Sequence, residues 1–589
     1  MCFSFRQLSL FFTVIAFPAL LTAQTSETIR KQVLTLKRTI QLNHYNPRPV
    51  DDAFSAQLYD RFMAHIDEHQ EYFTSSDLKT LSAYRLTLDD ELNGNGWEFL
   101  DKLMPLYVAA LQGKTLNHPS GYENYVASVY CDVIANLFDP HTEYMPLEEK
   151  QDFETSLGKE GYFFGFTLEE NDNGDTEIGR LVPGSPAWKC GDLNKGDVVT
   201  SIGWEGKEAV DVSGLPASEI AELMESADTA KLHLTVKKQD GIQKTISLTR
   251  AKLDNEENNV RGFVLKGNIL VGYIYLPDFY TAYETGYGSC ANDVAKEIVK
   301  LKKENIAGLI LDIRYNGGGS LQEALDMAGI FIDAGPLVMM KEKTGKIISL
   351  KDPNRGTIYD GPMTVLVNGQ SASASELLGA VLQDYHRAVI VGSTTFGKGS
   401  AQVILPVDTN TATPLSSRST EYGFVKVTTS KFYRLTGGTT QHAGVTPDII
   451  LPDIFDGLNY HESALPSALP ADVIKKNSYY TPLSSLPLAS LANKSKSRVD
   501  ADKNFELIRK YSSVLKEGKP ADVAFDFSSL RKATTTYAVA VNAFDAPMLK
   551  SDSYHQELTN QWIQKISSDK YVEEAYHILN DLINNNVNK

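Results

Sequence analysis

Only four cysteines occur in 589 residues, and Cys131, Cys190 and Cys290 lie far apart in the chain. That excludes a disulfide framework, and no Cys/His spacing suits a metal ion. Positive charge is in deficit too, with 57 Lys and Arg against 74 Asp and Glu and a net charge of −17. An acidic chain of this kind lacks the electrostatic footprint for nucleic acid. No Gly-Lys-Ser/Thr completes a phosphate-binding loop after any glycine run, which excludes nucleotide binding. The apolar run near the start, Leu8 to Phe17, is shorter than the ~20 residues that a membrane-spanning helix needs.

That short run instead has the features of a leader. Arg6 precedes it, and a small-residue site ends at Ala23, before Gln24, which predicts a signal peptide over residues 1–23. Leu21, at the −3 position, is bulkier than usual, and an uncleaved anchor is the alternative. Cys2 stands ahead of the apolar run, the wrong place for a lipid-modified cysteine. Cleavage leaves an odd number of cysteines, so the exported chain does not depend on disulfides. A bacterial periplasm suits it, with the protein close to a membrane and not spanning it.

What is present is ordinary globular composition, 42% apolar and 22% charged, with 25 Phe and 28 Tyr to fill cores. The length suggests roughly three or four domains. Residues 24–150 read as a helical domain, with Ile29, Val33, Leu36 and Ile40 on one face, and Phe54, Leu58, Phe62 and Ile66 on another. From 155 to 252 the pattern turns to short alternating strands with Gly, Asp and Asn turns. An acidic, Asn-rich stretch from Asp254 to Asn259 reads as a linker. Residues 261–454 alternate strand and helix, which predicts an α/β core. Its strands are expected at Ile269–Leu276, Ala307–Ile313, Met363–Val367 and Ala388–Val391. Its helices are expected around Val294, Ile298 and Leu301, near 321–331, and after Ser373. The tail from 455 to 589 carries two amphipathic segments, one on Phe505, Ile508 and Leu515, the other on Val572, Ala575, Leu579 and Leu582. It carries no legible chemistry.

The chemistry is concentrated between Asn368 and Gln402. A strand feeds the small-residue turn Gly369-Gln370-Ser371-Ala372-Ser373-Ala374-Ser375-Glu376, and a helix follows. Ser373 and Glu376 have capping-box spacing, which puts Ser373 at the helix N-terminus, where negative charge developing in acyl transfer is favoured. A serine nucleophile needs a base, and His386 and Lys398 are the nearest candidates, with Asp384 and Gln402 as orienting groups. Lys398 sits between glycines in Thr395-Phe396-Gly397-Lys398-Gly399. To act as a base it must be neutral, so its pKa must fall from ~10.4 toward ~7–8, which burial can achieve. A second stretch, Arg314-Tyr315-Asn316-Gly317-Gly318-Gly319, follows a buried strand and exposes backbone N–H groups, as an oxyanion hole requires.

With these stretches on the page, the chain resembles the C-terminal processing peptidases, on their long tail-specific branch. The likeness covers nearly the whole mature chain. It rests on Leu137-Phe138-Asp139-Pro140-His141-Thr142, Arg314 to Gly319, Ser371 to Glu376, Phe396 to Gly399 and Gln441 to Asp448. The resemblance implies a ClpP/crotonase-like α/β core with Ser373 as nucleophile and Lys398 as base, and no metal or cofactor. It implies that Gln402 orients the lysine, that Asp384 matches an important acidic position, and that Ala374 and Gly318 supply the oxyanion donors. Gly317 stands where shorter relatives have proline.

Residues 161–250 similarly resemble a PDZ domain, on Pro183-Gly184-Ser185-Pro186-Ala187, Gly191-Asp192-Leu193 and Gly196-Asp197-Val198-Val199. The loop Gly161-Tyr162-Phe163-Phe164-Gly165-Phe166 looks like the one that holds a peptide carboxylate, with Gly161, Phe163, Phe164, Gly165 and Phe166 as its binding residues. Such domains add an extended C-terminus to a sheet edge. The implied partners are proteins bound by their C-termini, with a lipoprotein adaptor to help select them. The expectation is a periplasmic serine endopeptidase. A catalytically silent PDZ scaffold and a crotonase-like acyl-CoA enzyme are the alternatives; the intact Ser373, Lys398 and Gln402 argue against the first, and the export signal against the second.

Overall fold

The computed structural model describes residues 13–111, 121–158, 160–171, 173–204, 209–225, 231–254, 259–281, 288–408, 422–517 and 535–587. The side chains of 13–25 are outside that description; of the leader expected over 1–23, residues 1–12 lie outside the described residues and 13–23 belong to the helix Thr13–Asn43, while residues 255–258 of the expected linker also lie outside.

The strand Gly308–Asp312 is buried along its whole length, which is why it reads as an unbroken apolar run instead of an alternation. It lies at the centre of a seven-stranded sheet. The spatial order is Ile449–Ile450, Val389–Gly392, Met363–Val367, Gly308–Asp312, Leu270–Tyr275, Arg261–Lys266 and Ala538–Ala540. The first five of these run parallel, so each step between central strands needs a crossover. Helices Cys290–Lys303, Leu321–Phe331 and Ala374–Asp384 lie in those crossovers. Ser289 and Ser320 cap the first two by accepting backbone N–H groups.

Successive strand residues face opposite sides of a sheet, and this sheet has two different covers. Leu309, Leu311, Val365 and Val367 face the crossover helices and pack with Val294, Ile298, Met327 and Leu378. Ile310, Leu366, Val389 and Val391 face away and pack with Ile508, Ala575, Tyr576 and Leu579 from beyond residue 455. That region also contributes the edge strand Ala538–Ala540, antiparallel to Arg261–Lys266. It is therefore one layer of the α/β core.

A second, five-stranded sheet was not among the expected elements. It joins Glu143–Met145, Phe424–Tyr433, Gly335–Glu342 and Ile347–Asp352, with Ser400–Pro406 also paired to Phe424–Tyr433. The N-terminal helices pack around Leu36, Ile40, Phe54, Phe62 and Tyr130, and the same core takes in Val407, Val425 and Val427. The helical region is thus seated on the second sheet. Residues 160–254 form a separate small β unit with its own core on Ile178, Val199, Ile202, Leu232, Leu234 and Val236. Its strand Phe166–Glu170 lies at a sheet edge, with helix Ala217–Glu225 beside it. Among the described residues, no helix is long and apolar enough to cross a membrane.

Because Leu579 is fully buried against the sheet face at Gly308, Leu579→Ala is expected to cost about 2–5 kcal/mol. In denaturant the sheet and the C-terminal helices should unfold in one transition. An early separate transition for residues beyond 455, with the core's midpoint unchanged, would show that this layer is dispensable.

Candidate active site

The strand Met363–Val367 runs into the turn that ends at Ser373. Ser371 pins this turn from below: its Oγ donates to Ile313 O at 2.8 Å and accepts from Asn368 N at 3.0 Å. Asn316, fully buried in the glycine loop, holds the turn from the side. Its carbonyl accepts from Ala372 N at 3.0 Å and Ser375 Oγ at 2.9 Å. Between these anchors Ser373 adopts φ 54°, ψ −109°, a strained conformation for a residue with a side chain, costing about 1–3 kcal/mol. The result is a half-buried serine at the tip of a strand-to-helix turn, the geometry that presents an oxygen to a substrate.

Glu376, one turn into the helix, is fully buried. Its Oε2 accepts from Ser373 N and from Lys398 N, both at 2.8 Å. Its Oε1 accepts from Gly397 N at 2.7 Å and Thr395 Oγ1 at 2.6 Å. Two nitrogens that share one oxygen are at most twice that bond length apart, so the backbones of Ser373 and Lys398 are neighbours. Burial raises the Glu376 carboxyl to about 7, and its four donors oppose that rise.

Lys398 is held by close backbone approaches. A Cβ at Gly399 would meet Gln441 N at 2.5 Å, and one at Gly397, where φ is +102°, would meet His442 at 3.2 Å. Burial holds the Lys398 ammonium below its usual pKa, the charge of Lys426 adds to this, and Glu462, Asp139 and Glu376 act against it. The loop is braced again through Gln441, whose Oε1 accepts from Gly399 N at 2.7 Å and whose Nε2 donates to Glu462 at 2.7 Å. Glu462 in turn lies 2.7 Å from His141 Nε2.

The other expected residues fall in different places. Gln402 donates through Nε2 to Ser400 Oγ and Thr428 Oγ1, both at 3.0 Å. Asp384 ends the helix that Ser373 begins, so it lies about 15 Å along the axis, ion-paired with Arg434. It is not brought to the Ser373–Lys398 pair. It closes the far end of an apolar groove that starts at Ser373 and is walled by Leu337, Leu377, Val381 and Phe432. His386 lies beyond the helix end and bonds Leu483 O at 3.1 Å. Gly318 packs against Ser373, since a Cβ there would come within 2.9 Å of Ser373 Cβ. Its N–H donates to Asn316 Oδ1 at 2.9 Å, so that donor is engaged in this state. Ala374 is the first helical residue, where backbone N–H groups point out of the helix end.

In the β unit, Phe163 ends the strand Glu160–Phe163, which contains Gly161. Gly165, at φ +86°, packs so closely on Ser185 that a Cβ would meet it at 2.0 Å. Ser185 Oγ and Val182 N both donate to Gly165 O. Phe164 is buried beneath the Arg250 guanidinium, 5.2 Å away, and Phe166 opens the edge strand. Sequence reasoning missed the bracing role of Asn316, and it read Glu376 only as a cap. The Ser-x-x-Glu spacing was a signal for Glu376, although nothing in it points to the lysine loop.

Residues 270–451 match the model of peptidase family S41, 36–116 that of the tail specific protease N-terminal domain, 154–237 that of the PDZ domain, and 455–584 that of the C-terminal domain of tail specific protease. The chain is 28% identical over 534 residues to the tail-specific protease of Haemophilus influenzae, covering 76% of this chain and 74% of that one. It is 29% identical over 325 residues to the carboxy-terminal-processing protease of Bartonella bacilliformis, covering 54% of this chain and 69% of that one. It also superposes on the photosystem II D1 C-terminal processing protease with a TM-score of 0.33 and 22% identity, covering 67% of this chain and 93% of that one.

The raised pKa of Glu376 has a consequence for stability. Between its ordinary value of 4.5 and about 7 the folded state binds a proton that the unfolded state has lost. This residue's stabilisation is therefore full below 4.5 and is lost as pH rises through about 7. Glu376→Gln cannot titrate, so the stability gap between wild type and variant should narrow from pH 5 to pH 8 in chemical denaturation. A gap independent of pH would mean that Glu376 is ionised throughout.

Proposed function

We propose that this chain, which belongs to peptidase family S41, is an exported serine endopeptidase that cuts proteins chosen by their C-termini. The observation that carries the reading is the shared oxygen of Glu376, which ties the backbones of Ser373 and Lys398 together. A nucleophile and a base held as one unit are what acyl transfer needs.

In this mechanism Lys398 is neutral at rest and accepts the Ser373 proton as Oγ bonds to the scissile carbonyl carbon. The carbonyl oxygen takes up the electron pair and is stabilised by Ala374 N–H, with Gly318 N–H joining once it leaves Asn316. Collapse breaks the C–N bond, and the Lys398 ammonium protonates the leaving amine. Water then attacks the acyl-enzyme, giving its proton to Lys398, and Ser373 is released with its proton restored. Gln402 orients the lysine.

Substrate choice falls to the PDZ domain. Its edge strand Phe166–Glu170 is available for an added strand; of the expected loop Gly161–Phe166, residues 161–163 are in the strand Glu160–Phe163, and the turn at Phe164 and Gly165 receives the terminal carboxylate. Export to a periplasm, and delivery of envelope proteins by a lipoprotein adaptor, complete the reading. A silent scaffold would have no use for the strained Ser373 backbone.

Ser373→Ala and Lys398→Ala are each expected to abolish cleavage of an unfolded protein while circular dichroism stays native, and the double variant should be little worse than either single one. The rate should rise with pH through a midpoint below the ordinary lysine value of 10.5, because only the neutral amine accepts the proton. Retention of more than about a tenth of kcat/KM by Lys398→Ala would remove it from the role of base.

For the PDZ domain the decisive comparison is a peptide substrate against its C-terminal amide. Amidation removes the charge that earns charge-assisted hydrogen bonds and leaves the scissile bond unchanged. The acid should be cut faster, and deleting residues 155–252 should erase the difference. Equal rates in the intact enzyme would reduce this domain to structural support.

A further inference from the structure

The segment Leu137 to Thr142, which ends helix Tyr122–Phe138 and continues beyond it, has no role in the mechanism above, yet it reaches the lysine loop. Asp139 is almost fully buried. Its Oδ2 lies 2.6 Å from His44 Nε2 and accepts from Thr142 Oγ1 at 2.5 Å; its Oδ1 accepts from His141 N at 2.9 Å and Thr428 Oγ1 at 3.0 Å. His44 Nδ1 accepts from Asn46 N at 3.2 Å, so the imidazole proton is on Nε2 and the ring donates to Asp139 as a neutral group. Four donors around one carboxylate fix it as an anion that only accepts.

This fixes everything downstream. Thr428 has one hydroxyl proton, and the Asp139 anion takes it. The remaining lone pairs of Thr428 Oγ1 can only accept, and they accept from Gln402 Nε2 at 3.0 Å. Ser400 Oγ accepts from the same Nε2 at 3.0 Å. A flipped amide would set Gln402 Oε1 against a threonine oxygen with no proton to offer. The amide is thereby locked with Oε1, an acceptor, as its remaining polar atom.

We propose that Asp139, acting through Thr428, is a positioning residue that fixes the Gln402 amide so that Oε1 accepts from the Lys398 ammonium formed when Ser373 attacks. The proposal rests on the reading of Gln402 as the partner of Lys398. It assigns a function to the Asp-Pro-His-Thr segment and makes the N-terminal helical region part of the proton-transfer machinery.

The test uses Thr428→Val, which removes the hydroxyl while keeping the shape and every charge. The charged groups that face Lys398 are Lys426 on the neighbouring strand, Glu462, Asp139 and Glu376, and none of them is altered. With a peptide substrate, kcat should fall about tenfold while KM stays within about twofold. Thr428→Ser should restore kcat. In a Gln402→Ala background, Thr428→Val should cost nothing further, because the residue it positions is gone.

An unchanged kcat in Thr428→Val overturns the proposal, and so does an equal loss in the two backgrounds, which would indicate general loosening of the strand. Wild-type turnover by Gln402→Ala overturns it together with the assigned role of Gln402. Retained activity in Lys398→Ala fails the dyad itself and is read from a different variant, so the two failures cannot be confused.

Discussion

The site depends on one buried carboxylate. Glu376 lies at the start of a helix, where the macrodipole favours an anion, and it accepts from the Ser373 turn on one side and the Lys398 loop on the other. An unpartnered carboxylate buried this deeply is costly. The four donors are thus required by the carboxylate as much as it is required by them. This reciprocity is what keeps two segments, separated by a helix and a strand, in fixed relation. It also makes the strained backbone of Ser373 tolerable, because its N–H is held by an anion.

A second constraint acts from the opposite side of the sheet. Arg314, at the root of the glycine loop, is buried between Asp312, at 2.6 Å, and Asp569, at 2.7 Å. Asp569 stays ionised despite burial because Arg314 and the backbone N–H groups of Tyr571 and Val572 support its charge. It therefore caps the last helix and grips the loop that carries Asn316 and Gly318. The C-terminal region does more than cover apolar surface: it places a charge behind the glycine loop. Since removing one partner of a buried ion pair strands the other, the loop and the C-terminal layer have to fold together.

Much of this was legible in the sequence, for identifiable reasons. The strand Met363–Val367 and the helix Leu321–Phe331 fall where the apolar patterns put them, because a parallel core leaves long uninterrupted signals. The second sheet was not legible. Glu143–Met145 finds its partner at Phe424–Lys426, and nothing local in a three-residue strand announces a pairing so distant. The turn at Ser373 was legible because small residues between a strand and a helix are a local signal. Asp139, Asn316 and Asp569 were opaque as functional groups because their meaning lies wholly in long-range hydrogen bonds. Asp384, read as an orienting group, is carried by the rise of the helix to the far end of the groove that starts at Ser373.

The lysine illustrates how these demands are reconciled. In the base role proposed for it Lys398 must be neutral, and burial with Lys426 nearby pushes it that way. The same site is braced by Glu376, Asp139 and Glu462, whose charges favour the protonated lysine. These carboxyl groups are needed because their two oxygens offer enough lone pairs to accept from so many backbone and side-chain donors at once. The conflict is moderated by saturation. Glu376 faces four donors, Asp139 another four, and Glu462 is engaged by Gln441 and His141. Each donor dipole turns its positive end toward the carboxylate and offsets part of the field that would reach Lys398. The dense hydrogen bonding around the site therefore has an electrostatic purpose beyond rigidity. It lets a scaffold made of anions surround an amine that has to give up its proton.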